Sequence, residues 1–264
     1  MFTSPGSIAI ETPHFTIYWY GIVLAIAFVV GLISATKIAK KMYNDPKAAD
    51  VVFDSSIWTL FAGIIGARLY FVLLSFSYYS KNLDEIFYLQ QGGLSIHGAI
   101  IGGLIGGGLF CVVKKIDFLK YADVYALGLP IAQAIGRWGN FFNSEAFGSP
   151  TNLPWAIFIP KNNRPLGYSE FEYFHPTFLY ESLWNIFIFL VLYFVLRKVF
   201  SDKKGALFFS YLILYSIGRI LIEFIRIDSV LNIMGIPIAV WVCVLTIIIS
   251  IVFLIKILNQ KKCL

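Results

Sequence analysis

Seven apolar stretches alternate with shorter polar ones along the chain, at approximately 16–36, 56–75, 95–113, 121–137, 177–196, 206–225 and 237–258. Each comes close to the roughly 20 residues that a helix needs to cross a hydrocarbon core of about 30 Å. The pattern predicts an all-α polytopic membrane protein with seven transmembrane helices. The fourth stretch is the weakest: it is short and holds Asp123, Pro130 and Gln133. Such residues are tolerated where neighbouring helices satisfy the freed polar groups. The first stretch is expected to be retained, because no Lys or Arg precedes it to form the basic end of a cleaved signal.

The basic residues orient these helices. Lys37, Lys40, Lys41 and Lys47 follow the first stretch, and Lys114, Lys115 and Lys120 follow the third. Arg197, Lys198, Lys203 and Lys204 follow the fifth, and Lys256, Lys261 and Lys262 close the chain. The alternate loops hold far fewer: Lys81 in one, Lys161 and Arg164 in the longest. The positive-inside bias therefore predicts an N-terminus outside and a C-terminus in the cytoplasm. Residues 138–176, between helices 4 and 5, become an extracytoplasmic insertion within a single membrane-embedded domain, 1–264. An insertion of that length is expected to carry strands or short helices of its own.

Composition agrees with this pattern. Hydrophobic residues make up 58% of the 264 and charged residues 14%, where a soluble domain carries about 25% charged. The net charge of +6 is spent on orientation signals, so no nucleic-acid partner is expected. Cys111, Cys243 and Cys263 have no metal-ligand spacing, and neither a disulfide framework nor a metal site is expected.

Ionisable groups are expensive near hydrocarbon, so their clusters mark candidate sites. The run Gly136 to Gly148, G-R-W-G-N-F-F-N-S-E-A-F-G, sets Arg137, Asn140, Asn143 and Glu145 at the outer end of the fourth stretch. Arginine offers a planar fork of donors, the amides add more, and glycines such as Gly148 let backbone approach a ligand. Tyr215, Arg219, Glu223 and Arg226 follow at spacings of 4, 4 and 3, which places them on one helix face. Arg219 lies deep enough to need a carboxylate beside it. In the predicted topology Tyr20, Arg68, His97 and the start of H-P-T-F-L-Y-E, at His175, also fall in the outer half of the bilayer. Gly98, Gly102 and Gly106 repeat every fourth residue after His97, a spacing for close helix packing.

These motifs resemble the bacterial prolipoprotein diacylglyceryl transferases. The run from Gly136 matches that family's signature G-R-x-G-N-F-x-N-x-E-x-x-G at every fixed position. L-S-I-H-G at Leu94 to Gly98, H-P-x-x-L-Y-E at His175 to Glu181, and Tyr215 followed by Arg219 are similar to further family motifs. One departure is Ser216, where family members commonly carry glycine.

The resemblance implies an enzyme of the bacterial cytoplasmic membrane whose active site faces outward. Such enzymes move the diacylglyceryl group of phosphatidylglycerol to the lipobox cysteine of a preprolipoprotein signal peptide. A thioether forms and glycerol phosphate leaves, in the first step of lipoprotein maturation. The implied partners are that lipid, that peptide and the bilayer, and no cofactor is implied.

Chemistry then assigns roles. Arginine forks suit a leaving phosphate better than lysine point charges, which points to Arg137 and Arg219 as catalytic, with Asn140 and Asn143 completing the pocket. A free thiol, with a pKa of about 8.5, benefits from a base, and His97 is the first candidate. Tyr20 and Tyr215 are weaker ones, since an ordinary tyrosine titrates at about 10. Glu145 and Glu223 are expected to orient the arginines, with Glu145 a further candidate for the proton. Arg68 is read as a lipid-positioning or structural residue. Two other classes fit seven spans with buried charge: a membrane transporter, and a non-catalytic binder of lipoproteins. Against the transporter, the inner halves of the spans look apolar, with no relay to the cytoplasm.

Overall fold

The computed structural model describes residues 2–13, 15–88, 92–227 and 232–260. His14, Lys261, Lys262 and Cys263 lie outside the described residues. The described chain is mostly helical, and six of its helices are long and apolar enough to cross a membrane. The residues group into two compact units, Met1–Ala35 with Ala122–Leu264, and Thr36–Tyr121.

In the Thr36–Tyr121 unit the chain leaves α1 (Trp19–Tyr43) and enters α2 (Pro46–Leu74). Asp45 caps α2 by accepting from the Lys47 amide at 2.9 Å, and Pro46 opens its first turn, a pairing that satisfies the free helix donors at little cost. The short α3 (Phe76–Tyr79) follows, and then α4 (Ile96–Val113) returns along α2. The expected glycine stripe works here. A Cβ on Gly66 would stand 2.5 Å from the Gly98 carbonyl and 2.8 Å from the Gly102 Cα. Backbone therefore touches backbone, as small residues allow between apolar helices that gain nothing from expelling water.

Arg68 sits in this unit, in α2, and is buried. Its Nε donates to the Ile86 carbonyl at 2.8 Å, and Nη1 donates to Gly92 and Gly93 at 2.9 and 3.0 Å. Nη2 donates to Glu85 at 2.5 Å and Tyr88 at 3.5 Å. A guanidinium has five N–H donors, and five carbonyls of the α3–α4 connection take them.

In the other unit, α5 (Phe118–Gly136) ends at the signature run. It is a helix, as expected of the fourth stretch, but it is not among the six apolar enough to qualify as spans. Its polar residues serve neighbours. The buried Asp123 accepts from the amides of Gly205 and Phe208 at 2.7 and 2.9 Å, capping α9 (Ala206–Glu223). Gln133 accepts from the Tyr211 hydroxyl of α9 at 3.0 Å. The short α6 (Trp138–Asn143) follows α5. Next come α7 (Thr177–Leu190), a π-helical turn over Val191–Leu196, and the three-residue α8 (Arg197–Val199), which together form one apolar span. The last span, α10 (Ile238–Asn259), packs along α9.

Residues 138–176 carry the structure of their own that their length suggested. Strand β1 (Phe2–Thr3) pairs in parallel with β4 (Ile157–Phe158), which pairs antiparallel with β5 (Tyr173–Phe174). Between β1 and β4 in the chain, β2 (Ile8–Glu11) and β3 (Thr16–Tyr18) form an antiparallel pair. A last hairpin, β6 (Asn232–Ile233) and β7 (Ile236–Pro237), turns through Met234 and Gly235, both at positive φ, as a two-residue hairpin loop requires. An apolar core joins Phe147, Ile157, Ile159 and Phe174 of residues 138–176 to Phe178 of α7. Burying these side chains packs that segment against the start of α7, since each contributes about 1.5–3 kcal/mol when removed from water.

Candidate active site

The signature run forms one continuous device. Arg137 closes α5, and α6 carries Asn140 and Asn143. Ser144 and Ala146 then take left-handed backbone, at φ 52° and 54°. Non-glycine residues rarely adopt it, and where they do the surroundings hold them there. Here the buried Thr177 hydroxyl holds the chain by donating to the Ala146 carbonyl. Gly148 donates its amide to the His175 carbonyl at 2.9 Å, and Ser149 donates to the Ile225 carbonyl at 2.8 Å. The run is thereby stitched to the starts of α7 and the end of α9 at once.

Gly148 is needed at that stitch. A Cβ there would lie 2.7 Å from Ile225 Cγ2 and 2.9 Å from His175 Cβ. Gly148→Ala is expected to destabilise the protein by about 1–3 kcal/mol, the range for overpacking a filled site. A thermal midpoint equal to that of the wild type would show that the stitch yields instead.

The stitch brings arginines from three places onto one carboxylate. Glu181, on the first turns of α7, is 4% exposed. Its Oε2 lies 2.5 Å from Arg137 Nη2, and its Oε1 lies 3.6 Å from both Arg219 Nη1 and Arg226 Nη1. On α9, Arg219 Nη2 pairs with Glu223 Oε2 at 2.6 Å across one helical turn. The carboxylate that Arg219 needed is therefore supplied twice. Among the described residues, three guanidinium groups face the two carboxylates. Arg137 keeps 23% of its side chain exposed and Arg219 18%, so both can meet a ligand without leaving Glu181.

Other predicted residues gather round this cluster. The Tyr20 ring packs on Gly139, where an added Cβ would stand 2.8 Å from it. Asn140 and Asn143 donate their side-chain amides to Glu145 Oε1 at 2.9 and 3.4 Å. The exposed Glu145 is thus a partner of the asparagines, while the arginines are oriented by Glu181 and Glu223. Tyr215 stands one turn before Arg219 on α9, its ring 5.9 Å from that of Tyr211. Arg68 and His97 belong to the Thr36–Tyr121 unit. His97 opens α4, exposed, with its ring 6.1 Å from that of Tyr70.

Two participants were absent from the predicted site. Glu181 is the hub, and its signal was present: it ends H-P-T-F-L-Y-E and is a carboxylate at the head of an apolar segment. His175, at the start of the same motif, has Nδ1 3.0 Å from the Tyr180 hydroxyl, which also accepts from Trp155 Nε1 at 3.0 Å. Burial holds the His175 imidazole below its ordinary pKa, because desolvation disfavours the charged ring. Tyr180 thus links Trp155 to His175, and the direction of its bond with Nδ1 follows the imidazole tautomer. Among the described residues no group of three His, Cys, Asp or Glu side chains is placed to hold a metal.

Six helices long and apolar enough to cross a membrane, together with an arginine cluster braced on buried carboxylates, are the features of a multi-pass membrane protein. The family model described as prolipoprotein diacylglyceryl transferase matches residues 7–256, nearly the whole chain, and the chain belongs to that family. A protein of Trichormus variabilis named phosphatidylglycerol--prolipoprotein diacylglyceryl transferase is 45% identical over 235 residues, covering 88% of this chain and 82% of its own. A protein of the same name from Acaryochloris marina is 46% identical over 231 residues, covering 88% and 83%.

Proposed function

We infer that this chain is a multi-pass membrane transferase that moves the diacylglyceryl group of phosphatidylglycerol to the cysteine thiol of a preprolipoprotein lipobox. The thiol sulfur attacks the glycerol carbon that bears the phosphate. The carbon–oxygen bond breaks, its electron pair leaves with glycerol phosphate, and the thiol proton passes to a base. The whole chain, 1–264, acts as one domain, with 138–176 as its insertion. The cluster of Arg137, Glu181, Arg219 and Glu223 carries the reading, in a chain whose relatives bear the name of this reaction.

In this reading Arg137 and Arg219 hold the phosphate of the leaving group, whose charge grows as the bond breaks. Their orientation is set in advance by Glu181 and Glu223, so no reorganisation is needed at the moment of reaction. Asn140, Asn143, Glu145 and Tyr20 shape the rim, and Gly148 and Tyr215 hold its walls. Arg68 pins the α3–α4 connection, because its donors are already occupied. Helix α5 serves as a seventh span, its polar groups satisfied by α9. In this reading the N-terminus and the site lie on the extracytoplasmic side of the bacterial cytoplasmic membrane, which the bias of basic residues toward alternate loops supports.

His97 is the proposed base, since neutral imidazole accepts a proton near pH 7. His97→Gln is expected to cut turnover at least tenfold, a floor set below the usual contribution of about 10²–10⁴ for general acid–base catalysis. Unchanged turnover would transfer the role to Tyr20, Tyr215 or Glu145. The function itself is tested with purified protein, glycerol-labelled phosphatidylglycerol and a lipobox peptide. Thioether product with released glycerol phosphate is the expected result. Peptide binding without product would make the chain a non-catalytic lipoprotein binder.

A further inference from the structure

Directly beneath the arginine cluster, one turn further along α7, stands Asn185. It is 2% exposed, in the middle of an apolar span. Its amide nitrogen donates to the Glu181 backbone carbonyl at 2.8 Å, while its Oδ1 is buried with no hydrogen-bond partner among the described residues. Glu181 Oε1 and Arg219 Nη1, close by, share that condition. The distance between these two, 3.6 Å, is beyond direct hydrogen bonding, a separation at which an intervening water is the natural question. Residues Glu181, Asn185, Tyr215 and Arg219 line a cavity of about 10 Å³. That is the lower bound for one water molecule, which needs about 10–15 Å³ and two to four polar partners.

We propose that this cavity is a water-binding site, and that Asn185 is a positioning residue which, through that water, fixes Arg219 and Glu181 in the orientation used for transfer. Such a molecule would complete the hydrogen bonding of these three atoms. Arg219 Nη1 donates to the water oxygen. The water's two protons go to Glu181 Oε1 and Asn185 Oδ1. All three stranded atoms are then satisfied, as buried polar groups of native proteins are. No apolar side chain at position 185 could play this part, and a tighter direct Arg219–Glu181 pair would strand Asn185.

The role has a mechanistic content. Arg219 must present one edge of its guanidinium to the ligand while Glu223 and the water hold the others. Loss of the water frees the guanidinium to rotate, which harms the transition state more than initial binding, because the net charge of the site is unchanged. A charge added at the same place does the reverse.

The inference rests on the reading of Arg137 and Arg219 as the phosphate site, and three variants in lipid nanodiscs separate the two. Arg219→Lys tests the site: full activity would remove that reading whatever Asn185 does. With Arg219→Lys impaired, Asn185→Leu tests the water. It is expected to lower kcat about tenfold while the KM for phosphatidylglycerol stays within threefold. Asn185→Asp keeps an acceptor for the water but adds a negative charge beside the arginines, so it should raise KM at least fivefold and lower kcat less than Asn185→Leu does. Should Asn185→Leu fail to insert, the Asn185→Asp comparison and a crystal structure of the wild type carry the test. Density for one molecule within hydrogen-bond distance of Asn185 Oδ1 and Arg219 Nη1 is expected. A wild-type kcat in folded Asn185→Leu, a KM unmoved in Asn185→Asp, or density showing Asn185 Oδ1 bonded to a protein donor would each overturn the proposal.

Discussion

Glu181→Ala is expected to abolish transfer and to destabilise the protein by about 3–5 kcal/mol, the cost of removing one partner from a buried ion pair. The buried value applies here, not the small surface one. Glu181 is 5% exposed at its side chain, and Arg137, Arg219 and Arg226 are 23%, 18% and 13% exposed. Without Glu181 three guanidinium groups face Glu223 as the remaining carboxylate of the cluster, and their mutual repulsion is no longer offset. Arg137 loses the carboxylate 2.5 Å away that holds its fork. Thermal unfolding in detergent or nanodiscs reads the stability, and release of labelled glycerol phosphate reads the activity. Glu181→Gln separates the two effects. It keeps shape and hydrogen bonding, so stability should recover further than turnover. Turnover within threefold of wild type in Glu181→Ala would mean that the cluster is structural and the reaction occurs elsewhere.

Arg137→Ala should leave the protein folded and reduce transfer by about 10²–10³-fold, the cost of deleting one preorganised donor aimed at developing charge. The fold is expected to tolerate the loss because Glu181 keeps Arg219 and Arg226 nearby, each 3.6 Å from Oε1. A quarter of the Arg137 side chain is open, so its removal leaves no large sealed void. Arg137→Lys should recover only part of the activity, since an ammonium restores the charge but not the planar fork that meets carboxylate and phosphate together. Steady-state turnover of purified, inserted protein is the measurement. Near-normal rates in Arg137→Ala would take this residue off the catalytic list.

Much of this site was legible in the chain. Arg137, Asn140, Asn143, Glu145 and Gly148 lie within twelve residues of one another, so their proximity follows from local structure. Tyr215, Arg219 and Glu223 lie on one helix face, and the Arg219–Glu223 pair is the contact expected at i,i+4. What escaped was the partnership between distant segments. Glu145 looked like the arginine's carboxylate because it is near Arg137 in sequence, yet the turn through Ser144 and Ala146 directs it to Asn140 and Asn143. Glu181, 44 residues further on, takes the arginines instead. Asp123 was legible as a weakness of the fourth stretch, but not as the cap of α9, which it reaches across 82 residues.

The sequence alone determined that this is a largely helical, multi-pass membrane protein, through apolar runs of spanning length. Those properties depend on transfer between water and hydrocarbon, which each segment settles for itself. It also determined the family, because the signature run and its companion motifs are specific in order and spacing. Tertiary structure decided which carboxylate faces which arginine, where a buried amide is left with an unused acceptor, and why Gly148 has no room for a side chain. These outcomes depend on close packing of α6, α7 and α9 around one point. No periodicity records such packing, because its contacts join residues with no fixed spacing along the chain.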